Sequence, residues 1–184
     1  MTNNMNSAFS RRVLSAGLLC LLAGFSARQA SALDDNLQIT GTLVSEPCTL
    51  DVSSDLLVNF GSVITPQLYR DSRTEGVPFK VSLLDCDTAI GEQVNLTFSG
   101  DESSVLPGKL AASGDGGTGI AIGLETLDGA AVQLNQLTPT FALQDGTTAI
   151  SLQAYVQAEP EAIAQHSLVP GSFSANATIS ASYP

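Results

Sequence analysis

The sequence of 184 residues lacks tryptophan, has a single histidine and contains few cationic side chains. Lys and Arg number 7 against 18 Asp and Glu, and the formal net charge is −11. A surface of this sign repels nucleic acid and anionic lipid, so neither is expected as a partner. The histidine, His166, has no G-x-S-x-G motif as a companion, which argues against a serine hydrolase. The absence of Trp argues against a stacking platform for sugars.

The apolar run near the N-terminus is too short to cross a membrane. Residues 13–25 fall well below the roughly 20 residues that a spanning helix needs, which disfavours a membrane anchor. The run follows Arg11 and Arg12, and it precedes Ala30 and Ala32, small residues at positions −3 and −1 of a cleavage point. We therefore predict a signal peptide over residues 1–32 and a mature domain over residues 33–184. Export through the periplasm and no stable membrane insertion follow from this prediction.

Only two cysteines remain beyond the predicted signal peptide. They are Cys48 and Cys86, and one disulfide is the simplest interpretation because exported proteins enter an oxidising compartment. The alternative is a metal site formed by the two thiolates. It would be short of ligands, since metal sites usually have four and His166 is the only other soft one.

The mature chain shows the pattern of short strands separated by turns. Runs rich in Val, Ile, Leu and Phe predict strands at residues 77–84, 94–98, 120–124 and 149–156. Turn clusters lie between them, and the pairs Asp128-Gly129 and Asp145-Gly146 predict tight hairpins. Residues 159–165, with Pro160 at the first position, predict one helical turn. Strands at this spacing indicate an all-β sandwich with a single core.

A glycine motif near the centre of the chain matches a nucleotide-binding spacing. Gly114, Gly116 and Gly119 fit G-x-G-x-x-G, but the residues that follow read as a strand. Because the phosphate-binding motif requires a helix at this point, nucleotide binding is not expected. No cofactor is predicted.

Both ends of the mature chain carry strict two-residue alternation, which places apolar side chains on one face of a strand. Near the C-terminus the apolar members alternate with polar ones and are Phe173, Ala175, Ala177, Ile179, Ala181 and Tyr183. Near the N-terminus the alternating members are Leu37, Ile39, Gly41 and Leu43. The alternation by itself is typical of ordinary strands in a sandwich.

Several residues carry a resemblance to a known family. Gly171 is the fourteenth residue from the C-terminus and Tyr183 the penultimate one. The Ile-Thr-Gly of residues 39–41 precedes a cysteine, and Cys86 ends an apolar strand pattern. Residues 33–184 thus resemble bacterial pilin subunits of the chaperone-usher pathway. Stretches similar to minor subunits of P-type pili lie at residues 94–98, 106–108, 154–156 and 169–171.

The resemblance implies an immunoglobulin-like sandwich that lacks its last strand and so has an open apolar groove. In this family a periplasmic chaperone first fills the groove with a strand. At the outer-membrane usher, the N-terminal extension of a neighbouring pilin replaces it by donor-strand exchange. Residues 33–43 correspond to that extension, with Leu37, Ile39 and Leu43 inserting. Gly41 corresponds to a glycine where donor and groove backbones come close.

The resemblance also assigns the acceptor groove and chaperone-binding residues. They are Gly171, Phe173, Ala175, Ala177, Ile179, Ala181, Tyr183 and the terminal carboxylate of Pro184. The three alanines are smaller than the family pattern suggests, and the terminal Pro184 also departs from it.

The implied function is structural and not enzymatic. We expect a subunit of a surface pilus that supports cell adhesion, in a minor or adaptor role. The major rod subunit and an assembly terminator remain alternatives, since both use the same machinery. A glycan-binding adhesin is a further alternative, but family adhesins usually carry an additional N-terminal lectin domain and lack the donor strand.

Overall fold

A computed structural model describes residues 43, 45–51, 56–116 and 119–184 of the chain. The predicted signal peptide and most of the predicted donor strand, including Leu37, Ile39 and Gly41, lie outside the described residues. The strands are β1 (Thr49–Leu50), β2 (Val77–Cys86), β3 (Gln93–Gly100), β4 (Leu110–Ala111), β5 (Ile120–Thr126), β6 (Ala131–Val132), β7 (Phe141–Ala142), β8 (Gly146–Ala158) and β9 (Ala177–Ser182). The helices are α1 (Thr65–Asp71) and α2 (Pro160–Ala164).

The strands form two antiparallel sheets. The larger sheet has the order β1-β2-β8-β5-β4, with β6 also paired to β5. The smaller sheet has the order β7-β3-β9. This arrangement is the predicted immunoglobulin-like sandwich.

Alternating side chains of both sheets fill the core. On β2 the buried residues Val81 and Leu83 alternate with less buried neighbours, and on β3 Val94 and Leu96 do the same. The period of two places each set on the inner face of its sheet. The two faces meet directly where the rings of Phe79 and Phe98 pack edge to face, with centroids 6.3 Å apart.

The predicted strands are present and somewhat longer than expected. Residues 149–156, for example, are the central part of β8. The predicted helical turn is α2, with Pro160 at its start. Helix α1 was not predicted, because Leu68 is its only buried residue and the segment has no apolar repeat. Neither helix in the described part of the chain has the length and apolar character needed to cross a membrane.

One of the two hairpin predictions is correct. Gly129 adopts a positive φ of 88° in the turn between the paired strands β5 and β6. Gly146 also has a positive φ, of 84°, but it is the first residue of β8, which belongs to a different sheet from the preceding strand β7. The prediction of a hairpin at Asp145-Gly146 was therefore wrong. The dipeptide indicates the local backbone shape, whereas strand pairing is decided by the packing of the two sheets.

Candidate functional site

The last strand lies at the edge of the smaller sheet. β9 pairs with β3 from Ser182, opposite Asn95, to Ala177, opposite Gly100. Within the described residues, its other edge has no strand partner. An unpaired edge exposes backbone N–H and C=O groups, which can hydrogen-bond to a further strand.

β9 is shorter than the strand predicted from the alternation of residues 172–183. Ser174 does not pair with β3, because β3 ends at Gly100. It pairs instead with Ser113, through N–H···O=C hydrogen bonds of 2.9 and 2.8 Å.

The apolar face of this edge strand is only partly covered. Ile179 and Ala181 lie opposite Phe98 and Leu96 of β3. The two β3 residues are fully buried, whereas Ile179 and Ala181 remain half-buried and Ala177 is exposed. The hydrophobic core therefore extends to β9, and the apolar face of this strand remains partly exposed.

A second segment packs against the core and reaches the residues that precede β9. Within this wall segment, defined as residues 56–64, the half-buried Val58, Phe60 and Val63 pack against the core cluster. No backbone hydrogen bond joins the wall segment to residues 173–184 in the described part of the chain. We call the apolar surface between the wall segment and residues 173–183 the groove.

Two contacts tie residues 173–183 to other parts of the chain, one at each end of this range. At one end the rings of Phe60 and Phe173 have centroids 6.2 Å apart. At the other end the hydroxyl of Tyr183 donates a 3.0 Å hydrogen bond to the carbonyl oxygen of Cys48. Burial raises the pKa of the Tyr183 hydroxyl, with a further contribution from the nearby charge of Glu46, so the group is a neutral donor. Of the two, the Phe60–Phe173 contact reaches the wall segment, whereas Cys48 lies directly before β1.

Two glycines fix the backbone where the chain turns towards β9. Gly171 has a φ of 154°, in the region that favours glycine. A Cβ at Gly171 would lie 2.6 Å from the Cα of Gly116, so the two backbones touch. Gly171 therefore permits a close loop crossing two residues ahead of Phe173.

Cys48 and Cys86 form the predicted disulfide. Both residues are buried, and the bond joins the segment before β1 to the end of β2. The pairing rules out the alternative of a two-cysteine metal site. No group of three or more potential metal ligands occurs in the residues that the structure describes.

The remaining predicted residues at the chain ends are exposed. Pro184 is exposed, next to the half-buried Tyr183. Leu43, the one predicted donor residue that the structure describes, is fully exposed and lies outside any strand.

Sequence reasoning missed the wall segment. Leu56, Val58 and Phe60 alternate with other residues, so the signal of a strand-like apolar face was present. It was too short to distinguish from a loop.

The comparisons with known proteins agree with this architecture. The family model described as Fimbrial protein matches residues 37–184. The chain is 35% identical over 181 residues to the fimbrial adapter PapK of Escherichia coli, a match covering 93% of this chain and 99% of that protein. It is 34% identical over 157 residues to the uncharacterized fimbrial-like protein YfcP of Escherichia coli K12, covering 82% of this chain and 88% of that protein.

The fold is also similar to a solved pilin. The crystal structure of the P pilus rod subunit PapA matches with a TM-score of 0.64 and 24% identity, covering 76% of this chain and 100% of that chain. The chain therefore belongs to the fimbrial protein family and is a pilin of the chaperone-usher class, with an immunoglobulin-like sandwich that lacks its last strand.

Proposed function

We propose that this chain is an adapter subunit of a surface pilus and that its groove accepts a β-strand from a partner. The proposal rests on the edge of β9 that has no strand partner among the described residues and that adjoins a half-buried apolar face. Strand addition supplies main-chain hydrogen bonds to such an edge, and alternate side chains of the added strand cover the apolar face. The role is structural and non-enzymatic.

Two partners occupy the groove in succession. A periplasmic chaperone covers it first, since an exposed apolar edge strand promotes aggregation. At the outer-membrane usher, the N-terminal extension of a neighbouring pilin replaces the chaperone strand. The net charge of −11, which becomes −14 without the three arginines of residues 1–32, favours a chaperone with a basic surface, and Pro184 offers its carboxylate to that surface.

The chain also supplies a donor strand to a neighbouring pilin. Residues 33–43 are the proposed donor, and Leu37, Ile39 and Leu43 would occupy the groove of the next pilin. Full burial of three such side chains contributes roughly 1.5 to 3 kcal/mol each, or about 5 to 9 kcal/mol together. This burial adds to the main-chain hydrogen bonds that strand addition forms.

The adapter role is supported by the similarity to PapK, which extends over nearly the whole of both chains. An adapter contributes few copies to a pilus, whereas a rod subunit forms most of its mass. Quantitative mass spectrometry of sheared pili measures this ratio. We expect a small number of copies per pilus, and a dominant share would replace the adapter assignment with that of the major rod subunit.

The groove is tested with paired substitutions on adjacent residues of β9. Ile179→Asp places a charge on the apolar face, and Ser180→Asp places the same charge on the opposite, exposed face. The chain is co-expressed with the periplasmic chaperone of its pilus, and the complex is quantified after purification. We expect Ile179→Asp to abolish the complex and Ser180→Asp to preserve it. Equal chaperone binding by both variants would refute the assignment of the groove as the strand-accepting site.

The donor is tested by deletion. A chain without residues 33–43 should still bind the chaperone but fail to enter the groove of a neighbouring pilin from the same pilus. The matched control is Gln38→Ala with Thr40→Ala, which changes only the polar face of the donor. Continued insertion by the deleted form, detected by native mass spectrometry, would contradict the donor assignment.

A further inference from the structure

A polar cluster lies outside the groove, on the larger sheet. Arg73 forms a bidentate ion pair with Glu125, with Nη2–Oε1 and Nη1–Oε2 distances of 2.6 and 3.0 Å. Gln153 donates a further hydrogen bond of 2.9 Å to Oε1 of Glu125. The guanidinium carbon of Arg73 lies 3.5 Å from the ring centroid of Tyr155. The Glu125 side chain is only 8% exposed, and a carboxylate buried to this extent requires its cationic partner.

The backbone beside Arg73 is fixed to β8. We define residues 72–74 as the anchored segment. The carbonyl oxygen of Ser72 accepts a hydrogen bond from the N–H of Ala158 at 2.9 Å. Thr74 exchanges two hydrogen bonds with Val156, one from its own N–H at 2.9 Å and one accepted by its hydroxyl at 3.0 Å. Arg73 lies between these two attachments and adds the ion pair to them.

The anchored segment is connected to the groove by a single short helix. α1 runs from the end of the wall segment to Asp71, directly before the anchored segment. A surface cavity of about 200 Å³ lies between the two parts of the chain. Its lining includes Phe60, Ser62 and Val63 from the wall segment and Thr74, Glu75 and Val77 from the other side. Phe60 and Val63 line this cavity and also pack against the core, so the wall segment is enclosed only in part here.

We propose that Arg73 is a positioning residue, which holds the wall segment at the distance from β9 that strand entry requires. It acts through α1, because its pair with Glu125 adds to the hydrogen bonds of Ser72 and Thr74 that fix the C-terminal end of this helix to the larger sheet. This inference rests on the proposed strand-accepting function of the groove. Arg70, at the end of the same helix, offers a contrast, because its pair with Asp71 is exposed, with side-chain exposures of 74% and 42%.

The structure provides an internal reference for the test. The Phe60–Phe173 and Phe79–Phe98 ring pairs have similar centroid distances of 6.2 and 6.3 Å, but only the first spans the groove. Nuclear Overhauser contacts between the rings report both distances in one sample. A positioning role changes the first contact and leaves the second unchanged, whereas general destabilisation of the fold weakens both.

Two variants test the role of Arg73. Arg73→Lys retains the positive charge but cannot form the bidentate pair. Arg73→Met combined with Glu125→Leu removes the pair without leaving a buried charge. Arg70→Lys is the matched control. We expect both Arg73 variants to lose the Phe60–Phe173 contact and to bind the periplasmic chaperone about tenfold more weakly. The control should retain both properties.

An unchanged Phe60–Phe173 contact in the double variant would overturn the inference, as would equal loss of both ring contacts. The ring contacts require no bound strand, so this result is independent of the Ile179→Asp test. Failure of chaperone binding by the unsubstituted chain would count against the proposed function alone.

Discussion

The hydroxyl of Tyr183 donates a 3.0 Å hydrogen bond to the carbonyl oxygen of Cys48, which joins the penultimate residue of the chain to its disulfide. This contact holds the residue directly after β9 against the residue directly before β1. It links residues separated by 135 positions in the sequence.

Tyr183→Phe removes this hydrogen bond while preserving the ring. Since a typical intramolecular hydrogen bond contributes about 1 kcal/mol, we expect the free energy of unfolding to fall by about that amount in urea titrations. Tyr183→Ala removes the ring as well and should cost more. Identical stability of Tyr183→Phe and the unsubstituted chain would show that the hydroxyl does not anchor the strand.

Cys48→Ser breaks the disulfide. The bond closes a loop of 38 residues, and the entropy of such a loop corresponds to a stabilisation of roughly 4 kcal/mol, often less in practice. We expect a lower unfolding midpoint under oxidising conditions and no difference from the unsubstituted chain in reductant. Cys20→Ser is the control, because we predict that Cys20 is removed with the signal peptide. A midpoint unaffected by Cys48→Ser would mean that the bond does not constrain the domain.

Gly41→Val places a branched side chain where we propose that donor and groove backbones come close. We expect slower replacement of the chaperone strand in a neighbouring pilin, followed by the rate of chaperone release. Thr40→Val is the control, since this residue lies on the polar face of the donor pattern and differs from Val mainly in one hydroxyl. Equal rates of chaperone release for the two variants would show that close backbone packing at Gly41 does not limit strand exchange.

Asp145 makes stability depend on pH. Its carboxylate accepts hydrogen bonds from the Thr88 hydroxyl at 2.6 Å and the Thr88 N–H at 2.9 Å, and these lower its pKa below the ordinary value. A lowered folded-state pKa gives stabilisation that is present above the unfolded-state pKa, about 3.9, and is lost as the pH falls through the folded-state value.

We therefore expect the thermal midpoint of the unsubstituted chain to exceed that of Asp145→Asn at pH 7, and the difference to shrink as the pH falls below about 4. Asp101→Asn provides the control, since it changes the net charge equally at an exposed position. A difference that is constant with pH would show that the Thr88 hydrogen bonds do not depend on the charge of Asp145.

The strands could be predicted from local sequence patterns, and the disulfide could be predicted from the number of cysteines. Two-residue alternation predicted β9 with its inner face, and two cysteines in an exported chain predicted one bond. Helix α1 has no apolar repeat, so its position depends on the docking of Leu68 into a core that only the folded chain provides. The hairpin prediction at Asp145-Gly146 failed because the packing of the two sheets determines which strands pair.

The candidate site was predicted on one side only. Family resemblance assigned the face from Phe173 to Tyr183, but the opposing Val58, Phe60 and Val63 lie in a segment without regular structure. The pair of Arg73 and Glu125 joins residues 52 positions apart, and no sequence periodicity relates them. Contacts of this kind arise from the three-dimensional path of the chain and could not be predicted from local pattern.

The crossing of Gly116 and Gly171 makes the path into β9 sensitive to substitution. Because the two backbones touch, a side chain at Gly171 would force the residues that lead into β9 away from the loop at Gly116. A change six residues ahead of the edge strand would therefore disturb how that strand is presented to a partner.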